Sequence, residues 1–216
     1  MDADLARMRE EYQLGGLDES DLADDPITMF DRWFEDARRG GVHEPNAMVL
    51  STVSGGRPSA RAVLLKGYDA IGFRFYTNHD SRKAHELTAD PACALVFGWF
   101  ELQRQVRIEG SAARLSRADD EAYFATRPRA SQLGAWASAQ SSVVSGRGEL
   151  EAAYVEAERR FEGVDVPCPP YWGGYVVSPH TVEFWQGRRG RMHDRLVYRR
   201  STVQEADQWL VQRLAP

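Results

Sequence analysis

The chain has 216 residues, of which 43% are hydrophobic and 27% are charged, and it carries a net charge of −5. That length and composition are typical of one soluble globular domain with a hydrophobic core. The acidic balance argues against nonspecific nucleic-acid binding, and the longest apolar run, residues 92–100, is too short to span a bilayer. Two cysteines, Cys93 and Cys168, do not make a disulfide framework, and no signal-peptide pattern is present, so we expect a cytoplasmic protein.

The first predicted elements are helical. A helix is expected over residues 4–12, followed by a polar connector that runs to Asp25. Asp25 and Pro26 have the character of an N-cap and a first helical position, and the apolar residues that follow recur at helical spacing. Gly40 and Gly41 are predicted to end this second helix, because glycine readily adopts the backbone conformation of a helix C-terminus.

Strand patterns dominate the next part of the chain. A glycine turn at Gly55 and Gly56 separates two apolar runs, which predicts a hairpin. A half-buried strand with alternating polarity, a short helix and two further strands come next. The predicted strands are residues 47–54, 59–66, 73–77, 92–99 and 103–115, and the short helix is residues 80–89.

The last part of the chain mixes helices and strands. Ser116 followed by Asp119 predicts a capped helix that runs to Thr126 and is broken by Pro128. Further helices are predicted over residues 131–137 and 149–161, and strands over residues 174–177, 182–186, 193–198 and 209–214. Seven or eight short strands interrupted by helices favour an antiparallel β-barrel with helical additions, an α+β fold of mainly β character. Because strands and helices do not alternate regularly and no phosphate-binding glycine motif occurs, a doubly wound nucleotide-binding fold is disfavoured.

The segment EFWQGRRGRMHDR, residues 183–195, opens the most basic region of the chain, since six arginines lie between Arg188 and Arg200. A local basic cluster in an acidic chain indicates a site for a discrete anion. The alternative is a solvated hairpin whose arginines only keep the surface soluble. Arg191, His193 and Arg195 alternate in sequence, so an extended strand would place them on one face.

Two further clusters carry cations beside strands. Arg61 and Lys66 flank an apolar run, where they would either contact a flat phosphorylated ligand or serve as rim charges. Tyr76 and Thr77 end a strand, and Arg82 and Lys83 follow at the start of a helix. Cations in a first helical turn oppose the helix dipole, and a bound phosphate would explain their placement there.

Tyr123, Arg127 and Ser131 are spaced four residues apart, which would place a phenol, a guanidinium and a hydroxyl on one helical face if Pro128 allows it. Such a trio suits a phosphate monoester, because arginine binds its oxygens bidentately and hydroxyls complete the shell. Gln105 faces away from the apolar residues of its strand and is either solvated or functional.

Other chemistries find little support in the sequence. The five histidines lack the spacing of zinc ligands, and neither a G-x-S-x-G motif nor an evident catalytic triad occurs, so no metal site is predicted. A site rich in arginine, lysine and hydroxyl groups without a nucleophile fits an enzyme in which a cofactor supplies the chemistry.

The motifs RAVLLK, FYTN, SRKAHEL, LQRQVRIEG, YFATRPRASQLGAWAS, WGGY, EFWQGRRGRMHDR and RLAP occur in this order along the chain. Together they closely resemble the pyridoxamine 5′-phosphate oxidase family, over residues 7–216. The resemblance implies an FMN-binding split β-barrel that forms a homodimer with its sites at the interface. It also implies oxidation of pyridoxamine or pyridoxine 5′-phosphate to pyridoxal 5′-phosphate. Hydride would pass from C4′ to N5 of FMN, and O2 would then be reduced to H2O2.

The resemblance also implies roles for individual residues. FMN contacts would fall on Arg61, Ala62, Val63, Leu64, Leu65, Lys66, Tyr76, Thr77, Arg82, Lys83, Gln105, Gln140, Ser141, Trp185 and Arg195. Substrate contacts would fall on Lys66, Tyr123, Arg127, Ser131, Arg191, Met192 and His193. Within that set, Arg191 and His193 would be the catalytic pair that flanks the pyridine ring.

The resemblance further implies one domain over residues 1–216, a mobile N-terminal segment over residues 1–25 and a dimerisation and active-site region over residues 170–216. Arg9 and Tyr12 resemble a lid segment, although an exposed helix is the alternative, and Glu44 stands where some members carry aspartate. A different class of function stays open, namely a noncatalytic flavin-, deazaflavin- or haem-binding split barrel. Such a protein has no evident reason to keep the phosphate trio together with Arg191 and His193.

Overall fold

The computed structural model describes residues 8, 11–201 and 208–216 of the chain, and these fall into two compact units. Unit 1 comprises the described residues up to Leu50, Ala94–Gly110, and the described residues from Pro179 onward. Unit 2 comprises Ser51–Cys93 and Ser111–Ser178. The helix predicted over residues 4–12 lies mainly outside the described residues, as does Arg9. The extent of the domain, predicted as residues 1–216, stays a prediction.

Nine strands and five α-helices make up the regular structure of the described residues. The strands are β1 (Ala47–Ser54), β2 (Arg57–Leu64), β3 (Gly67–Asp69), β4 (Gly72–Asn78), β5 (Ala92–Trp99), β6 (Arg104–Arg114), β7 (Trp172–Gln186), β8 (Asp194–Arg200) and β9 (Trp209–Arg213). The helices are α1 (Pro26–Arg39), α2 (Arg82–Ala89), α3 (Arg117–Ala125), α4 (Arg129–Ala137) and α5 (Arg147–Arg160). Short 3-10 turns cover Glu19–Asp21, Phe100–Leu102 and Arg189–Arg191.

Helix α1 begins and ends where the sequence predicts. The Asp25 carboxylate accepts hydrogen bonds from the backbone N–H groups of Ile27 and Thr28, which satisfies two donors that the first turn leaves free. Gly41, just past the helix end, has φ +69°, a conformation that costs glycine little. The helix buries Phe30 and Trp33 in the core of unit 1, where Phe30 lies 5.0 Å from Phe97 between ring centroids.

The sheet is antiparallel, as predicted, and its strands are hydrogen-bonded in the order β2-β1-β5-β6-β7-β4-β3, with β8 joining β7 and β9 joining β8. The two strands predicted over residues 174–177 and 182–186 are one continuous strand, β7, so that prediction is wrong. Pro179 falls between the two predicted segments, and it lies between the residues of β7 that pair with β4 and those that pair with β8. Its missing N–H therefore interrupts neither of these two ladders.

The end of β2 and the start of β8 differ from the predictions in ways that affect candidate site residues. Strand β2 ends at Leu64, so Lys66 follows the strand rather than closing it, and the short strand β3 was not predicted. Strand β8 begins at Asp194, and the preceding turn contains Arg191 at φ +61°. Arg191, His193 and Arg195 therefore do not share one strand face, and that prediction is wrong because a tight turn interrupts the extended backbone.

Unit 2 has an aromatic core of its own beside strand β4. Phe73 and Phe75 are fully buried, and Phe75 stacks on Tyr175 with ring centroids 5.5 Å apart. A second buried cluster joins helices α3, α4 and α5 through Phe124, Leu133, Ala157, Phe161, Val166 and Trp172. This cluster holds the short helices that carry the predicted phosphate ligands. No helix of the described residues combines the length and apolar character needed to cross a membrane.

Candidate functional site

A cavity of about 460 Å³ lies in unit 2, where strands β2, β4 and β7 meet helices α2, α3 and α4. Its lining includes eleven of the predicted site residues. These are Ala62, Val63, Leu64, Lys66, Tyr76, Thr77, Lys83, Tyr123, Arg127, Ser131 and Gln140. The lining also includes Asn78, Thr126, Pro128 and Trp172, which the sequence did not assign to the site. We call this space the clamp cavity.

The predicted phosphate trio does not share one helical face, since Tyr123 lies on α3, Ser131 lies on α4 and Arg127 lies in the connection between them. Helix α3 ends at Ala125, Pro128 is the N-cap of α4, and Ser131 lies in the first turn of α4. Pro128 thus interrupts the helix because it cannot donate a backbone hydrogen bond, yet the break keeps Tyr123, Arg127 and Ser131 on one cavity wall.

Aromatic stacking organises that wall. The rings of Tyr76 and Tyr123 stack with centroids 3.9 Å apart, and Tyr76 stacks on Trp172 at 5.4 Å with nearly parallel planes. The guanidinium carbon of Arg127 lies 4.5 Å from the Trp172 ring centroid. Burial lowers the pKa of Arg127 from its ordinary value, the sign expected for a cation taken out of water. The wall therefore presents a partly desolvated cation at a fixed position.

A second group of donors lies where α2 begins. The ammonium of Lys83 donates to Gln140 Oε1 at 2.7 Å, to Thr77 Oγ1 at 3.0 Å and to Ser81 Oγ at 3.3 Å, all neutral oxygens. The backbone N–H of Arg82 donates to Ser141 Oγ at 3.2 Å. Burial, and next the charge of Arg61, lower the pKa of Lys83, so an anion placed here would relieve an unfavourable charge environment.

Glu86 fixes the arginines beside these donors. The Glu86 carboxylate is 6% exposed and binds Arg61 Nη2 at 2.8 Å, Arg82 Nε at 2.8 Å and the Thr52 hydroxyl at 2.6 Å. Burial opposes its ionisation, but the hydrogen bonds from Thr52, Arg82 and Arg61 prevail and lower the pKa of Glu86 to about 2. A second cavity of about 630 Å³, lined by Arg82, Gln140 and Ser141 among others, opens at this cluster.

In unit 1, two arginines of the arginine-rich segment, Arg188 and Arg195, are paired with carboxylates. Arg188 Nε binds Asp194 Oδ2 at 2.5 Å, and Arg195 binds both oxygens of buried Glu183, at 2.8 and 3.1 Å. Trp185 on β7 is the register partner of Arg195 on β8. Gln105 lies on β6 of this unit and is half-buried.

His193 lies at the end of the turn and is held on both sides. Its Nδ1 accepts a hydrogen bond from the backbone N–H of Arg188 at 3.1 Å, and its ring lies 4.6 Å from the Trp185 ring and 5.6 Å from that of Tyr12. Burial, and next the charge of Arg191, lower the pKa of His193 from its ordinary value of 6.5. His193 is therefore mainly neutral at pH 7 and carries its proton on Nε2. Arg191 and Met192 are exposed.

Besides the eleven residues that line the clamp cavity, unit 2 contains Arg61, Leu65, Arg82 and Ser141, and unit 1 contains Gln105, Trp185, Arg191, Met192, His193 and Arg195. Leu65 is 4% exposed and is not part of the clamp-cavity lining, so its flavin contact stays a prediction. Sequence reasoning left Trp172 without a role, although the WGGY motif contains it and a buried tryptophan beside two glycines signals close packing. Among the described residues, no group of three or more His, Cys, Asp or Glu side chains could hold a metal ion.

Comparison with known proteins identifies similar chains. A family model described as "Pyridoxamine 5'-phosphate oxidase" matches residues 34–160, and one described as "Pyridoxine 5'-phosphate oxidase C-terminal dimerisation region" matches residues 172–216. Pyridoxine/pyridoxamine 5′-phosphate oxidases of Nocardioides sp. and Rubrobacter xylanophilus are 61% and 58% identical to the chain. Each alignment covers 99% of this chain, with 98% of the Nocardioides protein and 97% of the Rubrobacter protein.

Two solved structures are similar in fold. PhzG from Burkholderia lata 383, solved in complex with tetrahydrophenazine-1-carboxylic acid, is 31% identical, with a TM-score of 0.88 over 96% of this chain and all of that one. A pyridoxamine 5′-phosphate oxidase-related, FMN-binding protein from Nostoc punctiforme is 18% identical, with a TM-score of 0.70 over 90% of this chain and all of that one. The latter likeness concerns the fold alone.

Proposed function

Because the chain belongs to the pyridoxamine 5′-phosphate oxidase family, a family of enzymes, we propose that it is an FMN-dependent oxidase of pyridoxamine and pyridoxine 5′-phosphates. The products are pyridoxal 5′-phosphate and H2O2, with O2 as the final electron acceptor, and the amine substrate also consumes water and releases ammonia. The observation that carries the proposal is the clamp cavity, in which Lys66, Tyr123, Arg127 and Ser131 line one space.

The substrate phosphate fits this lining. Two cations and two hydroxyl groups are the donors that a phosphate dianion requires, and arginine can bind two of its oxygens at once. Nη1 of Arg127 is buried, and none of the described residues accepts a hydrogen bond from it. A donor in this position is costly unless a ligand satisfies it, which favours an anionic ligand over a neutral one.

The donor set at the start of α2 fits the phosphate of FMN. Lys83 contacts only neutral oxygens, and the first backbone N–H groups of α2 add the positive end of a helix dipole. We assign Arg61, Arg82, Lys83, Thr77, Gln140 and Ser141 to this phosphate. The remaining flavin contacts, Ala62, Val63, Leu64, Leu65, Lys66, Tyr76, Gln105, Trp185 and Arg195, follow from the family resemblance.

Bound FMN would supply the redox chemistry, namely hydride acceptance from C4′ of the substrate and electron transfer to O2. The residues of the chain bind and orient the reactants, so no strong protein nucleophile is needed. His193 donates from Nε2 to the substrate, because its Nδ1 is engaged by the backbone of Arg188. Arg191 supplies positive charge near the ring, and its left-handed backbone is a cost of the kind that functional sites retain.

A homodimer is part of the proposal. Residues 172–216 match the dimerisation region of the family, and a closed two-fold dimer is the commonest symmetry of soluble oligomers. Light scattering should give twice the mass of the chain, and a monomer that retains flavin and activity would contradict the dimer. The cytoplasmic location predicted from the sequence stays a prediction.

The function is tested by purifying the protein and recording flavin absorption, followed by assays of H2O2 release. Pyridoxamine and pyridoxine 5′-phosphates should both be oxidised, and the same vitamers without phosphate should react far more slowly. A protein that binds flavin and oxidises neither phosphate ester would instead be the noncatalytic split barrel.

The cofactor assignment has its own test. The double substitution Arg82→Ala/Lys83→Ala should reduce flavin affinity by about 100-fold or more, since each of the two charge-assisted hydrogen bonds contributes about 1.5–3 kcal/mol. The matched control is Arg147→Ala/Arg159→Ala, which removes two exposed arginines of α5 that pair only with glutamates of the same helix. Wild-type flavin affinity in the first variant would show that the phosphate of FMN binds elsewhere.

A further inference from the structure

The cation of Arg127 is held without a counter-charge. No described residue pairs with it through a salt bridge, and Nη1 is buried without a hydrogen-bond partner among the described residues. Its guanidinium instead lies over two aromatic faces, the Trp172 ring at 4.5 Å and the Phe124 ring at 5.3 Å. A cation over an aromatic face is attracted by the ring quadrupole, most strongly when the ring is tryptophan and water is excluded.

The same indole also neighbours Tyr123, another predicted phosphate ligand of the clamp cavity. Trp172 is 6% exposed and lies in a cluster of near-parallel rings, 5.4 Å from Tyr76 and 6.2 Å from Tyr123, with interplanar angles of 10° and 7°. Arg127 lies directly over this buried ring, and Tyr123 is linked to it both directly and through Tyr76, on which Tyr123 stacks at 3.9 Å. Movement of that ring would displace the phenol and the guanidinium together.

The backbone around Trp172 is fixed on both sides of the residue. The backbone N–H of Trp172 donates to the Pro169 carbonyl at 3.1 Å, and Arg117 donates to the same carbonyl at 2.8 Å. Two residues later, the backbone N–H of Gly174 donates to Oδ1 of the buried Asp120 at 2.7 Å.

Gly173 leaves no room for a side chain, since a Cβ there would collide with the Asp120 carboxylate and lie 2.6 Å from the His79 ring. Strand β7 therefore presses directly onto α3 at this point. The two glycines of the WGGY motif set the position of the indole with little freedom to shift.

We propose that Trp172 is a positioning residue that holds the guanidinium of Arg127 in the orientation that receives the substrate phosphate. This inference rests on the proposed function and deepens it, because it names a residue that determines the preference for phosphorylated over unphosphorylated vitamers. A side chain already oriented for its ligand loses less conformational freedom on binding. The resulting gain in affinity applies only to vitamers that carry the phosphate.

The test compares Trp172→Leu and Trp172→Phe with wild-type holoenzyme and with the control Trp136→Leu. Trp136 also lies under an arginine, Arg160 at 4.5 Å, but it does not line the clamp cavity. The first measurement is kcat/KM for pyridoxamine 5′-phosphate divided by kcat/KM for pyridoxamine. The second is the affinity for pyridoxal 5′-phosphate by calorimetry, and the third is flavin content by absorbance.

Trp172→Leu should lower both the kcat/KM ratio and the affinity for pyridoxal 5′-phosphate by about 10-fold, because it removes the aromatic face. Trp172→Phe should lower them by roughly 2- to 5-fold, and flavin content should stay at the wild-type level in both variants. Trp136→Leu should leave the ratio unchanged. Equal losses with the phosphorylated and unphosphorylated vitamers would overturn the inference, since they indicate a merely structural role.

Should Trp172→Leu fail to fold, the milder variant still decides the matter in a double-mutant cycle. In an Arg127→Ala background, Trp172→Phe should no longer change the kcat/KM ratio, because the group that it positions is gone. An undiminished effect in that background would overturn the inference. A wild-type enzyme that shows no preference for the phosphorylated vitamer would contradict the proposed function itself, and that outcome is read from the wild type alone.

Discussion

Two arginines of unit 1 and one arginine of unit 2 have opposite surroundings, although unit 2 also contains paired arginines at Glu86. In unit 1, Arg195 binds both oxygens of buried Glu183, and Arg188 binds Asp194. In unit 2, Arg127 rests on the Trp172 ring, with no carboxylate partner among the described residues. The sequence presents both regions as basic residues near aromatic ones, so the pairing, rather than the residue type, distinguishes them.

Whether an arginine has a carboxylate partner decides whether it stabilises the fold or a bound ligand. A buried ion pair is costly to break, because the loss of one partner leaves the other charge desolvated and unpaired. A desolvated arginine without a partner is itself a cost to stability, and an incoming phosphate can relieve that cost as binding energy. The comparison therefore predicts that the arginine pairs of unit 1 stabilise the fold and that Arg127 of unit 2 stabilises a bound ligand.

The largest expected effect is the loss of stability on breaking the Glu183 pair. Glu183→Ala removes a 6%-exposed carboxylate that binds Arg195 and also Arg107, the latter at 3.1 Å. The free energy of unfolding of the flavin-free protein should fall by about 3 kcal/mol, which lowers Tm by roughly 6–12 °C. Calorimetry of the flavin-free protein measures this without interference from cofactor binding.

Glu109→Ala is the matched control. Glu109 pairs with Arg107 at 3.0 Å on the same strand, β6, but both side chains of that pair are well exposed. Exposed pairs contribute about 0–1 kcal/mol, so this variant should unfold close to the wild-type temperature. Equal losses in the two variants would show that burial does not set the strength of the pairs in unit 1, and the comparison would fail there.

Arg127→Ala should weaken substrate binding without lowering stability, in contrast to Glu183→Ala. KM for pyridoxamine 5′-phosphate should rise by about 10- to 100-fold, because a charge-assisted contact made in ground and transition states alike is lost. Flavin content should not change, and Tm of the flavin-free protein should stay the same or rise, since the variant removes a buried, unpaired charge. Enzyme kinetics and calorimetry on one preparation provide both results.

Arg147→Ala controls for the loss of an arginine as such, because Arg147 is exposed on α5 and pairs only with Glu151. It should change neither KM nor Tm. If Arg127→Ala lost flavin but kept normal kinetics with added FMN, the two phosphate sites would have been assigned the wrong way round. If it instead lowered Tm as Glu183→Ala does, Arg127 would be a structural residue.

Much of the fold could be predicted from local signals in the sequence. Asp25-Pro26 and Gly40-Gly41 delimit α1 to the residue, and Gly55-Gly56 places the first hairpin correctly, because caps and turns depend on residues within a few positions. The continuous strand β7 was missed because Pro179 is tolerated only through the long-range arrangement of its neighbours. Periodicity in one segment carries no information about which strand pairs where.

In the candidate site, too, features that depend on local spacing could be predicted, and features that depend on tertiary packing could not. Spacing and residue type placed Tyr123, Arg127 and Ser131 in one group, and all three line the clamp cavity, although the helix is interrupted between Ala125 and Arg129. The carboxylate partner of Arg195 could not be predicted, because Glu183 lies on another strand and its pairing depends on sheet register. The position of Trp172 under Arg127 also follows from tertiary packing rather than from spacing.

The smallest expected effect is the pH dependence of stability that comes from His193, because the folded protein favours the neutral form of this side chain. Because its pKa lies below 6.5 in the folded protein, the unfolded chain binds a proton first as the pH falls. His193 therefore makes no pH-dependent contribution well above pH 6.5 and lowers stability as the pH falls from about 6.5 toward the folded-state pKa. His193→Gln should remove this part of the pH dependence, which urea unfolding of the flavin-free protein at pH 7.5 and pH 5.5 would measure.

Arg191→Gln sharpens this prediction, because the charge of Arg191 is the second cause of the lowered pKa and burial is the first. Without that charge the pKa of His193 moves back toward 6.5, so the loss of stability between pH 7.5 and pH 5.5 should shrink without vanishing. The order of pH dependence should therefore be wild type, Arg191→Gln and His193→Gln, from largest to smallest. Identical pH dependence in all three proteins would mean that His193 titrates alike in the folded and unfolded chain. The charges of the turn that carries His193 would then contribute nothing to stability, unlike the Glu183 pair.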